Sequence, residues 1–152
     1  MNLNVVKQSN LTQIKTIAVF PFEANRKASA EKITIALTEN LNQTDFEVVP
    51  AAKLVQMLDA AGLTLAQVSQ DHQPALKLLK GVDAFIVGDA SVRVLGGYID
   101  HVARCQARMI HAESGEVLLE IVYKTNSNSV AMQQVSTEAQ IGKALAKKIG
   151  SL

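Results

Sequence analysis

The three histidines and the single cysteine are the side chains most able to hold a metal ion or act as a nucleophile. His101 and His111 fall on the same parity of one predicted strand. Ten residues of strand would hold them about 33 Å apart. His72 follows Asp71 in a polar turn. Because these histidines cannot share an ion, we predict no metal site and expect solvated or edge histidines.

Cys105 lies in the middle of a predicted strand, where alternation puts it on a small apolar face with Ala103, Ala107 and Met109. No histidine is placed locally to activate it, so we predict a buried structural thiol. A single cysteine excludes an intrachain disulfide. This fits a reducing compartment, and equally an envelope protein that has no disulfides.

The remaining candidates for catalysis have simpler interpretations as turn residues. Glu113 and Glu116 flank Ser114 in a predicted hairpin turn, without the G-x-S-x-G pattern of a nucleophile elbow. Gly96-Gly97 lacks the third glycine of a dinucleotide fingerprint and does not open a helix. The sequence therefore predicts no enzyme and no cofactor.

Three arginines form the pattern that most resembles a binding surface. Arg104 and Arg108 share one strand face, opposite Cys105, and Arg93 lies on the preceding strand. The pattern also assigns to this face Val102, Gln106 and Ile110. This face has two interpretations. It is either a solvated sheet face or a docking surface for a partner protein, a neighbouring subunit or an anionic glycan. Arginine suits a docking surface because its planar group binds carboxylates and stacks on rings.

The polar segment 125–134 is a second candidate for contact with a partner. It contains Asn126 and Asn128 among serines and threonines. A long mobile loop is one interpretation. In an assembly protein, the same segment could become ordered on contact with its partner.

The composition and the apolar periodicity of the sequence indicate the fold that positions these residues. The 152 residues are 48% apolar but only 4% aromatic, which predicts one domain with an aliphatic core. Fifteen basic against fourteen acidic residues give a net charge of +1, so we expect no nucleic-acid partner. No apolar run is long enough to predict a membrane-spanning helix.

The apolar periods predict the order β-α-β-α-(α)-β-β-β-α after an arm or weak strand at 1–14. The predicted strands are 15–22, 46–49, 83–94, 98–111 and 117–124, and the predicted helices 29–43, 51–61, 74–80 and one that begins at 137. Capping boxes at 64–67 and 137–140 mark two helix starts. The fold class is α/β, a mixed sheet in which crossover units precede an antiparallel meander, with helices packed mainly on one face.

Four segments resemble a family of bacterial envelope proteins. Residues 16–23 (TIAVFPFE) resemble the opening strand of CsgG and of the TolB N-terminal domain, and residues 46–49 (FEVV) resemble the second family strand. Residues 81–88 (GVDAFIVG) and the hairpin at 114–118 (SGEVL) resemble two later family segments. All four occur in the family's order and cover most of the chain.

This resemblance implies an anticodon-binding-like sandwich over 15–152 and a role in envelope assembly, scaffolding or export. Relatives include LpoB-type activators of peptidoglycan synthases and the PelC-type polysaccharide-export lipoprotein. It implies an envelope protein partner, possible homo-oligomers, and contact with peptidoglycan or polysaccharide machinery. It also implies a periplasmic location, with an outer-membrane lipid anchor in the untrimmed protein.

The chain departs from this family in lacking a lipobox cysteine and the membrane hairpin that a CsgG pore needs, so a soluble or lipid-anchored accessory role is expected. The alternatives are an oligomeric component of a secretion or polysaccharide-export apparatus, or a small-molecule-binding or enzymatic α/β domain.

Overall fold

The computed structural model describes residues 3–95, 99–125 and 136–152, which form a mixed sheet with helices on both faces. The strands are β1 (Leu3–Gln8), β2 (Thr16–Val19), β3 (Glu23–Ala24), β4 (Glu47–Val48), β5 (Ala84–Leu95), β6 (Ile99–His111) and β7 (Val117–Lys124). The helices are α1 (Lys27–Leu41), α2 (Ala51–Ala60), α3 (Leu65–Gln70) and α4 (Glu138–Gly150), and a short 3-10 turn spans Gln73–Ala75.

The sheet has the order β1-β7-β6-β5-β2-β4, and β3 pairs with β5 alongside this path. The β2–β4 and β2–β5 pairs are parallel, while the β5–β6, β6–β7 and β7–β1 pairs are antiparallel. Parallel neighbours need crossover connections and antiparallel ones need only hairpins. The predicted fold class, crossover units followed by an antiparallel meander, is confirmed.

The two longest helices, α1 and α4, cover one face of the sheet, called the front face. α1 contributes Ile33, Leu37 and Leu41, and α4 contributes Ile141, Leu145 and Ile149, to a core shared with the sheet. Both apolar stripes have the three-and-four spacing of a core-facing helix. Helix α4 begins at the predicted capping box, in which Thr137 accepts from the Gln140 backbone N–H.

The described helices cover the opposite face, called the back face, only near β2, β4 and the start of β5. Phe20 and Phe85 stack there at a centroid distance of 4.6 Å. Leu54 and Leu58 of α2 and Val68 of α3 pack into the same cluster. The meander part of the back face has no helix over it among the described residues.

The crossovers create a point where the chain leaves the sheet in two directions. From β2 the chain crosses the front face through α1 to β4, and from β4 it crosses the back face through α2 and α3 to β5, on the other side of β2. In α/β sheets, a crevice forms outside the carboxyl ends of strands at such a switch point. Here α1 and α3 stand on its two sides.

The predicted helix at 74–80 is wrong. Only Gln73–Ala75 form a 3-10 turn, and Lys77 adopts a left-handed φ of 67°. The Lys77 backbone N–H donates to the Ala112 carbonyl over 2.9 Å. This bond ties the segment to the end of β6, and the tertiary contact outweighs the helical spacing of the buried Ala75 and Leu79.

The predicted face of Val102 is also wrong. Ser91 pairs with Arg104 and Val92 pairs with Val102, so Ala103 is an extra residue on β6. A bulge of this kind reverses the alternation of side chains beyond it. Val102 therefore packs with Cys105 in the front core, and His101 and His111 do not share a parity.

Candidate interaction surface

The uncovered part of the back face presents side chains from four strands. Lys7, Glu120, Arg108 and Val87 are register partners in one row across the sheet. The next row contains Asn4, Val122, Gln106 and Asp89, and the row after it contains Lys124, Arg104 and Ser91. Cross-strand partners have Cβ atoms about 5 Å apart. These residues therefore form a continuous surface.

The structure places all three predicted arginines on this surface. Arg104 is exposed and Arg108 is half-buried, and they lie four residues apart on β6, in rows separated by the row of Gln106. Arg93 is exposed and lies on β5 two residues beyond Ser91, the partner of Arg104, and therefore on the same face. Asn126 and Asn128 lie outside the described residues. The use of these five residues in partner binding stays a prediction.

Sequence reasoning missed two lysines of the same surface. Lys7 faces Glu120 across the β1–β7 ladder, and Lys124 is the register partner of Arg104. Alternation from Leu3 and Val5 would place Lys7 on the front face, and it reaches the back face only through the register shift between Val5 and Lys7. We name the basic face as five cations with two carboxylates, namely Lys7, Arg93, Arg104, Arg108 and Lys124 with Asp89 and Glu120.

Glu120, the acidic neighbour of Arg108, is engaged by another side chain. The Gln106 amide donates to Glu120 Oε1. Among the residues that the structure describes, the Nε of Arg108 is buried without a hydrogen-bond partner. A buried donor left unpaired costs free energy. Because this atom is closed to solvent, a docking group would reach it only after the surrounding side chains moved, and the exposed Arg104 is the more accessible charge.

A groove of about 930 Å³ occupies the switch point between α1 and α3, and we name it the switch-point groove. Its α1 wall includes Glu31 and Ile35, its α3 wall includes Leu65, and its floor is formed by residues 21–25 of the chain after β2 and residues 89–91 of β5. Sequence reasoning missed this groove because it depends on helices from two separate crossovers.

Hydrogen bonds fix the walls of the switch-point groove to the sheet. Ser69 of α3 donates to the Pro21 carbonyl over 2.9 Å, and Thr34 of α1 accepts from the Phe22 backbone N–H over 2.9 Å. The Asn25 side chain accepts from the Val92 N–H and donates to its carbonyl, at 2.8 Å each. The polar groups nearest the floor thus have structural roles.

The histidines occupy separate environments. The His72 ring lies tilted against the Phe85 ring. Burial lowers the pKa of His72; the Asp71 carboxylate opposes this shift and Arg108 adds to it. His111 accepts the backbone N–H groups of Glu113 and Ser114 through Nδ1 and so closes the hairpin turn. Within the described ranges, no group of three His, Cys, Asp or Glu side chains could hold a metal ion.

Cys105 is fully buried in the front core, which confirms the predicted structural thiol. Burial, with a smaller effect of the Asp89 carboxylate, raises the pKa of the thiol to about 12. A thiol held in its protonated form is a poor nucleophile.

We expect iodoacetamide at pH 8 to alkylate Cys105 at least about a hundredfold faster in urea-unfolded chain than in native protein. Because the unfolded thiol releases its proton near pH 9 and the folded thiol near pH 12, the free energy of unfolding should fall as the pH rises between these values. Cys105→Ala is the control for this pH dependence. Equal alkylation rates would show that the thiol is accessible.

No protein-family model matches the chain, and none of the curated proteins is significantly similar to it. Solved structures do share its fold. The C-terminal domain of LpoB from Salmonella enterica is 17% identical with a TM-score of 0.58, over 77% of this chain and 87% of that one. Lipoprotein GNA1162 from Neisseria meningitidis is 17% identical with a TM-score of 0.52, over 91% and 99%.

A third similar structure is the PelC dodecamer from Paraburkholderia phytofirmans, with 11% identity and a TM-score of 0.51, over 97% of this chain and 89% of that one. At these identities the likeness shows the fold alone, an LpoB-like α/β fold. The finer resemblance to CsgG and TolB stays a prediction. In the part of the chain that the structure describes, no helix is long and apolar enough to cross a membrane.

Proposed function

We propose that this protein is a non-enzymatic accessory protein of the bacterial cell envelope, which acts by binding a partner protein through the basic face. The observation that carries the proposal is the composition of this face. Five cations surround two carboxylates on a sheet surface that no described helix covers. The chain as a whole has a net charge of only +1, so this is a local concentration of positive charge.

The chemistry of the basic face favours an acidic protein surface as its partner. Arginine binds a carboxylate through two parallel N–H groups, and its weak hydration makes it suited to interfaces. Arg93 and Arg104 are exposed and can make such contacts without rearrangement. Docking of acidic side chains would neutralise these two charges.

The envelope location and the non-enzymatic role rest on separate support. Similar solved structures are described as lipoproteins or belong to LpoB and PelC, and four sequence segments resemble envelope proteins. The proposal includes a periplasmic protein that a lipid anchor holds at the outer membrane. Scaffolding rather than catalysis fits a groove whose Ser69, Thr34 and Asn25 side chains bond to the protein backbone.

The proposal is tested by placing a photo-crosslinking residue at Arg104 in cells and at Lys143, an exposed residue of α4 on the other side of the sheet. We expect one discrete envelope protein to be captured from position 104 and not from position 143. With that protein purified, the double variant Arg93→Glu and Arg104→Glu should weaken binding at least about tenfold, because it turns attraction into repulsion.

Equal capture at both positions, or unchanged affinity of the charge-reversed variant, would rule out the basic face as the docking surface. The matched control is Lys143→Glu together with Lys147→Glu on α4, which makes the same change in net charge away from this face. All four positions are exposed or half-buried, so the variants should unfold at the same urea concentration as the parent.

A second candidate is an oligomeric component of a secretion or polysaccharide-export apparatus. The edge of β1 favours it, since this edge strand carries Val6 with 62% of its surface exposed. Exposed strand edges pair readily with other chains. Light scattering separates the two functions, because a ring has many times the mass of one chain, whereas the accessory protein stays at or near the mass of a monomer.

A further inference from the structure

The switch-point groove combines three features that together identify a class of ligand. The first is an apolar lining that is left exposed. Ile35 and Leu65 contribute to it, and Ile35 has 57% of its surface exposed. An isolated exposed isoleucine is unremarkable, but one that borders an apolar concavity can anchor a partner's side chain.

The second feature is the charge of the groove. Of the described residues that line it, Glu23, Glu31 and Asp89 are acidic and Lys27 is basic. The groove is therefore acidic, in contrast to the basic face, which it adjoins at Asp89 and Ser91. Complementary charge steers the encounter of partners and selects among them. A ligand of this groove should carry lysine or arginine.

The third feature is an unpaired strand edge. Among the described residues, β3 is hydrogen-bonded to β5 only, and it forms part of the groove's floor. An extended peptide can add to such an edge through main-chain hydrogen bonds, with pockets for alternate side chains. The groove is open to solvent and, at about 930 Å³, lies at the upper end of the range for small-molecule sites. This shape fits an extended chain better than a compact ligand.

From these features we propose that the switch-point groove binds an extended peptide segment of a partner protein that carries both apolar residues and lysine or arginine. The segment adds beside β3, so that its side chains on the α1 side lie near Ile35 and Glu31 and those on the α3 side lie near Leu65 and Glu23. This inference goes beyond the proposed function, because the site and the charge of its ligand both differ from those of the basic face.

The test uses the full chain and labelled peptides of about six residues, the commonest length of a strand. One peptide alternates valine and lysine, a second replaces lysine by glutamate, and a third keeps the valine–lysine sequence but has N-methyl groups on alternate backbone nitrogens. We expect the first peptide to bind at least about tenfold more tightly than the second, because the groove is acidic. The third peptide should also bind at least about tenfold more weakly than the first, because N-methylation removes the backbone N–H groups that form strand hydrogen bonds.

Variants of the groove locate the binding. Glu31→Lys and Ile35→Gln should each weaken the binding of the valine–lysine peptide about tenfold. The first variant removes a charge partner, and the second removes an apolar anchor. Lys32→Gln on the same helix and Arg104→Glu on the basic face are the controls and should leave the affinity unchanged. Residues 31, 32, 35 and 104 are exposed, so folding should be retained.

Several results would overturn this inference while leaving the proposed function intact. They are tighter binding of the glutamate peptide, no effect of Glu31→Lys and Ile35→Gln, or no effect of N-methylation. A loss of mass on Ile35→Gln would show that a second copy of the chain occupies the groove. If no protein were crosslinked from position 104, the basic face would be ruled out as the docking surface, and the inference about the switch-point groove would be unaffected.

Discussion

Replacement of Gly142 by leucine should lower the free energy of unfolding by about 3 kcal/mol, the largest effect that we expect from a single added side chain. Gly142 lies where α4 crosses α1. A Cβ atom there would lie 2.5 Å from the Ala36 Cβ and 2.8 Å from the Leu37 backbone nitrogen. Backbone atoms cannot rotate away, so the two helices would have to separate along the front core.

Gly142→Ala is the sharper form of this experiment. Alanine is the better helix former by about 1 kcal/mol, so an uncrowded glycine would give a gain in stability. We expect a loss instead, because the single methyl group already collides with Ala36. Ala36→Gly by itself costs about 1 kcal/mol of helix propensity, so the test is a double-mutant cycle. In that cycle the loss from Gly142→Ala should be smaller in the Ala36→Gly background than in the parent, but not zero, since the contact with the Leu37 nitrogen remains.

Urea unfolding of these variants checks the prediction, with Ala139→Leu as the control on an exposed position of the same helix. The control should change the stability by no more than about 0.5 kcal/mol. A stable Gly142→Leu variant would mean that α1 and α4 are not in the close contact described. The front layer of the LpoB-like fold would then need another explanation in this chain.

Much of this frame could be predicted from the sequence, because local patterns and tertiary contacts agree there. The stripe at Ile33, Leu37 and Leu41 predicts a helix face, and that face is buried. The capping boxes at Thr64 and Thr137 form as predicted, since each needs only residues three positions apart.

The predictions that failed depended on contacts between distant parts of the chain. The bulge at Ala103 is a property of the β5–β6 register, and no glycine or proline at that position signals it. The turn at Lys77 forms because its N–H reaches Ala112, thirty-five positions later in the sequence. Periodicity within one segment contains no information about either contact.

The candidate sites, too, could be predicted where local alternation decides them and not where contacts between distant segments do. Arg104 and Arg108 could be assigned to one face, because alternation holds between them. Lys7 joins them only when β1 pairs with β7, and the switch-point groove exists only when α1 and α3 lie on opposite faces of the sheet. A site built from several crossovers requires the topology before its residues can be recognised as neighbours.

The back face provides the second large effect. Phe85 is fully buried, stacks on Phe20 and contacts His72, so it joins the sheet to the segment that follows α3. We expect Phe85→Ala to lower the free energy of unfolding by about 3–5 kcal/mol, through lost transfer free energy and the cavity that remains. Phe85→Leu, which keeps most of the volume, should cost less than half as much.

The pKa of His72 gives this prediction a local readout. Burial is the main cause that lowers this pKa, and removal of the Phe85 ring opens the site to water. In NMR titrations at low temperature, where Phe85→Ala remains folded, the His72 pKa should therefore rise toward its ordinary value of about 6.5. Phe85→Leu should move it less. A cost below about 1 kcal/mol with an unchanged His72 pKa would contradict this packing.

The same cluster also holds α3 in place. We therefore expect Phe85→Ala to weaken the binding of the valine–lysine peptide in the switch-point groove, although Phe85 does not line the groove.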